Sequence, residues 1–233
     1  MASPAPQNPG VRWGTALGAL LLLTACIPRG DQRAPPPRAE PGAARSVPAE
    51  RADSRNPATL QCHIDLARER IGFSVLDDRR FERGCSALGT VQLLEIGTPV
   101  TNLGAMTCPL ARQFARWSRE AVQTAASQWL GSPVRRIETF GTYACRGVNG
   151  QAGARLSEHA FANAVDVSGF VLADGRHVTV QDGWNGEDER VRRFLRAVHQ
   201  AGCRRFNIGL SPDSDAYHYN HMHFDMGRGP YCR

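Results

Sequence analysis

The segment YHYNHMHFDMG, residues 217–227, holds His218, His221 and His223, three of the chain's seven histidines. Upstream, RLSEHAFANAVDVSGF places His159 and Asp166 at the entrance and beginning of an expected strand. His221 and His223 are two apart, and on a strand such residues face the same side. Two imidazoles and a carboxylate suit a catalytic zinc ion, which takes three N/O ligands from the protein and leaves its fourth position to water. The set His159, Asp166 and His223 supplies those ligands. It leaves His221 and His218 as acid–base groups or transition-state donors beside the water. Histidine titrates near neutral pH, which suits a base. Asp213 and Asp215 lie close by in SPDSDAY, which reads more simply as a polar turn. Asp225 continues the face of residues 221 and 223, either orienting an imidazole or pairing with a cation in solvent. Ser157 is a candidate cap or brace for the loop of His159, and Glu158 either shapes the site or is a local cap or solvent contact. Without a metal the three clustered histidines would be half-buried polar rings, each needing its own partner.

The elements that must position these residues follow from periodicity and punctuation. Residues 62–72 form a short amphipathic segment, and residues 74–76 and 91–96 are expected strands. Thr107-Cys108-Pro109 opens a helix, with Thr107 as cap and Pro109 in the first turn. Leu110, Phe114, Trp117, Ala121, Val122, Ala125 and Trp129 follow at helical steps, and Gly131 ends it. That aromatic stripe is core. Residues 134–143 are a strand. Residues 164–172 and 176–180 form a hairpin around Ala173-Asp174-Gly175, because Asp-Gly suits tight turns. Residues 187–201 are a second helix, stopped by Gly202, and residues 222–226 are the last strand. Strands and helices mix without regular alternation. The expected class is α+β, a small mainly antiparallel sheet flanked by helices in a single domain stabilised by disulfides.

The N-terminal part points to export. Residues 16–23, ALGALLLL, are apolar but shorter than the roughly 20 residues a spanning helix needs, and have the length of a signal-peptide core. Leu23-Thr24-Ala25-Cys26 resembles a bacterial lipobox, which implies a signal peptide over 1–25 and a lipidated Cys26. An ordinary signal peptide and an uncleaved anchor are the alternatives, and both also export the chain. Residues 26–57 are rich in Pro, Ala and Arg with almost no large apolar residue, so they read as a disordered linker. Stretched like polyproline, the linker reaches up to roughly 95 Å at about 3.1 Å per residue. The folded domain is then 58–233. Of seven cysteines, setting Cys26 aside leaves an even set: Cys62, Cys85, Cys108, Cys145, Cys203 and Cys232. In an exported chain these are disulfide candidates, expected to pair in sequential order. No CxxC pair supports a cysteine-based zinc knuckle. The net charge of +6 suits anionic wall polymers or lipid headgroups, and export argues against nucleic acid.

Ser157-x-His159, Ala164-x-Asp166 and His221-x-His223 together resemble the zinc peptidase superfamily of lysostaphin-type endopeptidases and D-Ala-D-Ala carboxypeptidases. The wider His218-x2-His221-x-His223 spacing is most similar to its penicillin-insensitive murein endopeptidases. The resemblance implies zinc held by His159, Asp166 and His223, a catalytic role for His221, and a peptidoglycan peptide as substrate. FGTYACR resembles the superfamily's segment ahead of the first motif and implies that Arg146 grips a substrate carboxylate. Two departures stand out: Ala162 where the superfamily has Gly, and no Glu near the final histidines to act as base. The base is then His218, His221 or the zinc-bound hydroxide alone. A longer resemblance, carried by CPLARQFARW, FGTYACRGVNG, LSEHAFANAVDVSGF and HMHFDMG, is to the bacterial extensin-like C-terminal domain family over about residues 60–233. The expected function is an exported, lipid-anchored zinc hydrolase acting on peptidoglycan, of D,D-carboxypeptidase or endopeptidase type. The alternatives are a non-catalytic, metal-containing wall-binding module and a structural lipoprotein. Oligomeric state stays open.

Overall fold

The computed structural model describes residues 51–233. The expected signal peptide, the lipidated Cys26 and the linker up to residue 50 lie outside the described residues. The chain proceeds through α1 (Pro57–Arg68), β1 (Gly72–Val75), β2 (Arg79–Arg80), β3 (Ser86–Ala87), β4 (Thr90–Glu95), β5 (Met106–Thr107), α2 (Cys108–Arg116) and α3 (Gln123–Leu130). It continues with β6 (Val134–Gly141), β7 (Ala164–Leu172), β8 (His177–Thr179), α4 (Val180–Gly183), α5 (Glu189–Cys203), β9 (Ile208–Leu210), β10 (Met222–Asp225) and β11 (Tyr231–Cys232). A six-stranded sheet runs β11-β9-β10-β7-β6, with β8 also on β7. All its pairings are antiparallel except β11 with β9. A three-stranded sheet β1-β4-β5 and the ribbon β2-β3 complete the α+β fold.

The hydrophobic stripe of the long helix decides the layering. Phe114 and Trp117 are fully buried side by side, and Trp117 packs against Phe170 of β7 and Phe224 of β10. The Trp117 indole N–H donates to the Val198 carbonyl of α5 at 2.9 Å, so one buried polar atom is satisfied while the ring fills the core. Between α2 and α3 the backbone takes a π-wound segment, Trp117–Val122, that periodicity did not foresee. Gly131 ends the helix with φ +67°, as expected. Thr107 sits at the cap position, but its hydroxyl donates to Asn163 Oδ1 at 2.7 Å instead of capping.

Two boundary expectations need correction. The second helix runs two residues past the expected end, through Gly202 to Cys203, with Asp188 accepting from Arg190 and Val191 N–H at its start. Gly202 does not stop it; a Cβ there would overlap the Phe224 ring, so glycine lets α5 lie flat on β10. The last strand is not residues 222–226 but β11, which pairs with β9. The hairpin of β7 and β8 forms as expected, with Gly175 at φ +90°.

The six cysteines form three disulfides, but not in sequential order: Cys62–Cys108, Cys85–Cys145 and Cys203–Cys232. Only the last matches the expectation. Cys62 lies on α1, which packs on α2, so its nearest thiol in space is Cys108 rather than Cys85. Among the described residues no helix is long and apolar enough to cross a membrane.

Candidate metal centre

Strand pairing builds the centre. In the β7/β10 ladder Asp166 stands directly opposite His223, and cross-strand partners bring their Cβ atoms to about 5 Å. His159 comes from a single 3-10 turn, Glu158–Phe161, just ahead of β7. Ser157 caps that turn by accepting from the His159 N–H at 3.4 Å. Glu158 braces it, accepting from Asn163 Nδ2 at 2.6 Å and from Arg51 Nη2 at 2.9 Å. The turn closes on Ala162 at φ +54°. That is the left-handed conformation glycine adopts freely and alanine pays about 1–2 kcal/mol to hold. The departure from glycine therefore keeps the turn at an energetic cost.

His159, Asp166 and His223 converge. His159 Nε2 lies 3.2 Å from His223 Nδ1 and 3.1 Å from Asp166 Oδ2, and His223 Nδ1 lies 2.9 Å from Asp166 Oδ1. A tetrahedral ion with ligands at about 2.0–2.1 Å sets neighbouring donors about 3.3 Å apart, so the triangle has the dimensions of one face of that tetrahedron. The outward nitrogens decide the tautomers. His159 Nδ1–H donates to the Thr142 carbonyl at 3.1 Å, and His223 Nε2–H donates to Asp225 Oδ2 at 2.8 Å. With those protons committed, both inward nitrogens present lone pairs to each other and to a carboxylate.

Three electron-pair donors, 2, 5 and 7 % exposed at His159, Asp166 and His223, require a positive charge among them. In the metal-free state that charge is a proton. Burial opposes protonation of His223, but hydrogen bonds to Asp166 and Asp225 prevail and raise it to about 9. Burial likewise disfavours the Asp166 carboxylate, and its close contacts with His159 and the protonated His223 outweigh this and hold it well below the usual range. The donor set fits a divalent ion of the N/O-binding kind,.

The remaining expected residues surround this triangle. His221 lies just ahead of β10, its Nε2 3.5 Å from Asp166 Oδ1 and its ring edge-on to Phe140. Burial pushes its pKa down to about 4, so it is neutral at physiological pH. His218, on the turn Ala216–His218, sets its ring 5.0 Å from His221 and 5.8 Å from His223 by centroid. Its Nδ1–H donates to Asp215 Oδ1 at 2.8 Å. Asp215 is therefore more than a turn residue, and its position three residues before His218 was the available signal. Asp213, by contrast, accepts from Trp184 and Arg196 away from the centre. Arg146 stands at the mouth, Nη2 3.5 Å from Asp166 Oδ2, with 39 % of its side chain exposed. The Thr142 carbonyl left no side-chain signal to read.

Asp225 takes the imidazole-orienting role rather than a solvent ion pair, itself anchored by the Gly227 N–H at 2.7 Å. Such partners raise ligand basicity, and losing one typically costs about 10–100-fold in metal affinity. Asp225→Asn is expected to weaken divalent-ion binding by about that factor in a chelator-competition titration; unchanged affinity would contradict the assignment.

A second grouping, His199 with Cys203 and Cys232, offers no thiolates, because the two sulfurs are bonded to each other. His63 and His177 lie apart from the centre, the latter 2.7 Å from Glu138.

Comparison with curated proteins and with solved structures finds no match. The family described as "Extensin-like protein C-terminus" matches residues 60–233, and with that coverage the chain belongs to it.

Proposed function

We propose that this chain is an exported, lipid-anchored zinc hydrolase that cleaves peptide bonds of peptidoglycan. The observation that carries the reading is the convergence of a buried carboxylate and two buried imidazoles whose outward protons are committed elsewhere. Two imidazoles and one carboxylate favour zinc over calcium or magnesium, which prefer all-oxygen shells. When bound, zinc lowers the pKa of a coordinated water to about 7 and polarises a carbonyl.

The protein's own groups supply the rest. The base left open by the sequence is assigned to His218: its Nδ1–H is held by Asp215, which leaves the Nε2 lone pair to take a proton from the attacking water. The same nitrogen returns that proton to the amine nitrogen as the C–N bond breaks. His221 stands beside the triangle with its Nε2 3.5 Å from Asp166 Oδ1, and once that nitrogen carries a proton it stabilises the carbonyl oxygen as charge develops there. Arg146 offers its guanidinium to a substrate carboxylate at the mouth. The resemblance to zinc peptidases of cell walls supplies the substrate class. The linker and lipid anchor expected from residues 1–57 suit a domain that works at the wall.

The direct test is metal analysis of the purified protein, then incubation with muropeptides and mass spectrometry of the products. One zinc per chain and new peptide termini are expected. Zinc binding with wall retention but no new termini would favour the wall-binding module instead. Asp215→Asn and His218→Ala are each expected to lower turnover by about 10²–10⁴-fold while zinc content stays at one per chain. A turnover unaffected by either substitution would remove His218 as the base.

A further inference from the structure

Two cavities meet at the metal triangle. The larger, about 1510 Å³, is bordered by Arg80, Arg155 and Arg228. The smaller, about 360 Å³, is walled by Phe140, Tyr143 and Tyr219. Arg146, His159, Asp166, Tyr217 and His221 line both. The centre therefore stands at a junction with space on two sides, not at the closed end of a pit.

The two arms differ in chemistry. Arg80, Arg155 and Arg228 are exposed, and among the described residues none of them forms an ion pair with a carboxylate. The carboxylates that line this arm are already engaged: Glu158 with Arg51, Asp166 with Arg146, His159 and His223, Asp215 with His218, and Asp225 with His223. Three unpaired guanidiniums along one cavity make a field that attracts anions and can hold carboxylates bidentately. In the second arm Phe140, Tyr217 and Tyr219 are 58, 52 and 56 % exposed. Rings left in water at a cavity wall offer flat apolar faces with polar edges, the composition enriched where ligands are held.

We propose that the groove binds the interior of an acidic peptide chain, with its carboxylates in the arginine arm and an uncharged stretch across the aromatic arm. The site then engages an internal bond rather than a chain end. Engagement of an internal bond rests on the hydrolytic reading; the binding mode does not.

The test uses isothermal titration calorimetry on the full chain, with the metal removed by chelator so that no turnover intervenes, and repeats it with the His159→Ala variant. The probe is an octapeptide capped at both ends, four glutamates followed by four uncharged residues including tyrosine. Comparison probes are the capped glutamate half, the same octapeptide with lysines for glutamates, and a tetrauronate. The capped octapeptide is expected to bind at least tenfold more tightly than its glutamate half, and the lysine version not at all. The triple variant R80A/R155A/R228A is expected to lose at least tenfold for the octapeptide. Equal binding of the lysine version, an unaffected triple variant, or no advantage over the glutamate half overturns the proposal. Tighter binding of the tetrauronate overturns the choice of peptide. If binding follows the expectation and no peptide is ever cleaved by the zinc-loaded chain, the hydrolytic reading fails and this one stands. If other peptides are cleaved but the capped octapeptide does not bind, this one fails alone.

Discussion

His159→Ala is expected to empty the centre: divalent ion per chain falls from one to none, and the thermal stabilisation that accompanies metal disappears. The substitution removes one corner of a triangle whose remaining edge, Asp166 to His223, is already set by the β7/β10 ladder. Two donors remain, Asp166 and His223, and they satisfy each other at 2.9 Å with a proton in place of the ion. Losing a supporting carboxylate alone costs about 10–100-fold in affinity, so losing a ligand costs more. An ion present at about 1,000 times its dissociation constant stabilises the fold by about 4 kcal/mol. For a domain of this size that is about 8–16 °C of melting temperature, at about 2–4 °C per kcal/mol. Chelator should therefore lower the melting temperature of the wild-type chain by about that amount and leave the variant unmoved. His177→Ala, on a surface histidine paired with Glu138, serves as the control and should retain full metal content. One ion per chain retained in His159→Ala would remove this residue from the centre, and with it the hydrolytic mechanism.

Why the triangle was legible in the sequence, but only some of its supports, Asp225 and Ser157, were, is a matter of which groups carry the chemistry. Asp166 and His223 advertise themselves because side-chain type and strand period act together. An inward carboxylate at the start of an apolar strand needs a partner, and a histidine in a second apolar strand can meet it. The support of His159 is the Thr142 carbonyl, and every residue has a carbonyl, so no residue type marks it. Asp215 was visible but ambiguous, since an aspartate before a turn hydrogen-bonds backbone as readily as a histidine; here it does both, to Tyr217 N and His218 Nδ1. Gly202 misled for a related reason. Glycine ends helices and also permits close packing, and only the position of Phe224 tells the two apart. Fold class followed from the mixture of strand and helix periods. The disulfide connectivity could not, because it depends on α1 lying along α2 and on the β2-β3 ribbon reaching the loop after β6, which are tertiary facts.

That second disulfide is where stability and site meet, and removing it should damage both. In a chain-entropy account, cross-links spanning 46, 60 and 29 residues each stabilise by roughly 4 kcal/mol, so stability alone cannot distinguish the three. Location can. Cys145 sits between Ala144, whose N–H donates to the His159 carbonyl at 3.2 Å, and Arg146, whose carbonyl accepts from Ser157 N–H at 3.1 Å. Three residues earlier lies Thr142, the acceptor that fixes the His159 tautomer. Cys85–Cys145 therefore pins the loop that orients His159 and presents Arg146, whereas Cys62–Cys108 joins α1 to α2 and Cys203–Cys232 joins α5 to β11. The double variant C85A/C145A is expected to lose about 8–16 °C of melting temperature and to bind its divalent ion at least about 10-fold more weakly, as for loss of a ligand's orienting partner. The variants C62A/C108A and C203A/C232A should show similar thermal losses with metal affinity close to wild type in the same chelator competition, measured well below their melting points. If all three pairs weaken metal binding equally, the loop of Cys145 has no special hold on His159, and the tautomer of that imidazole must be set by the 3-10 turn alone.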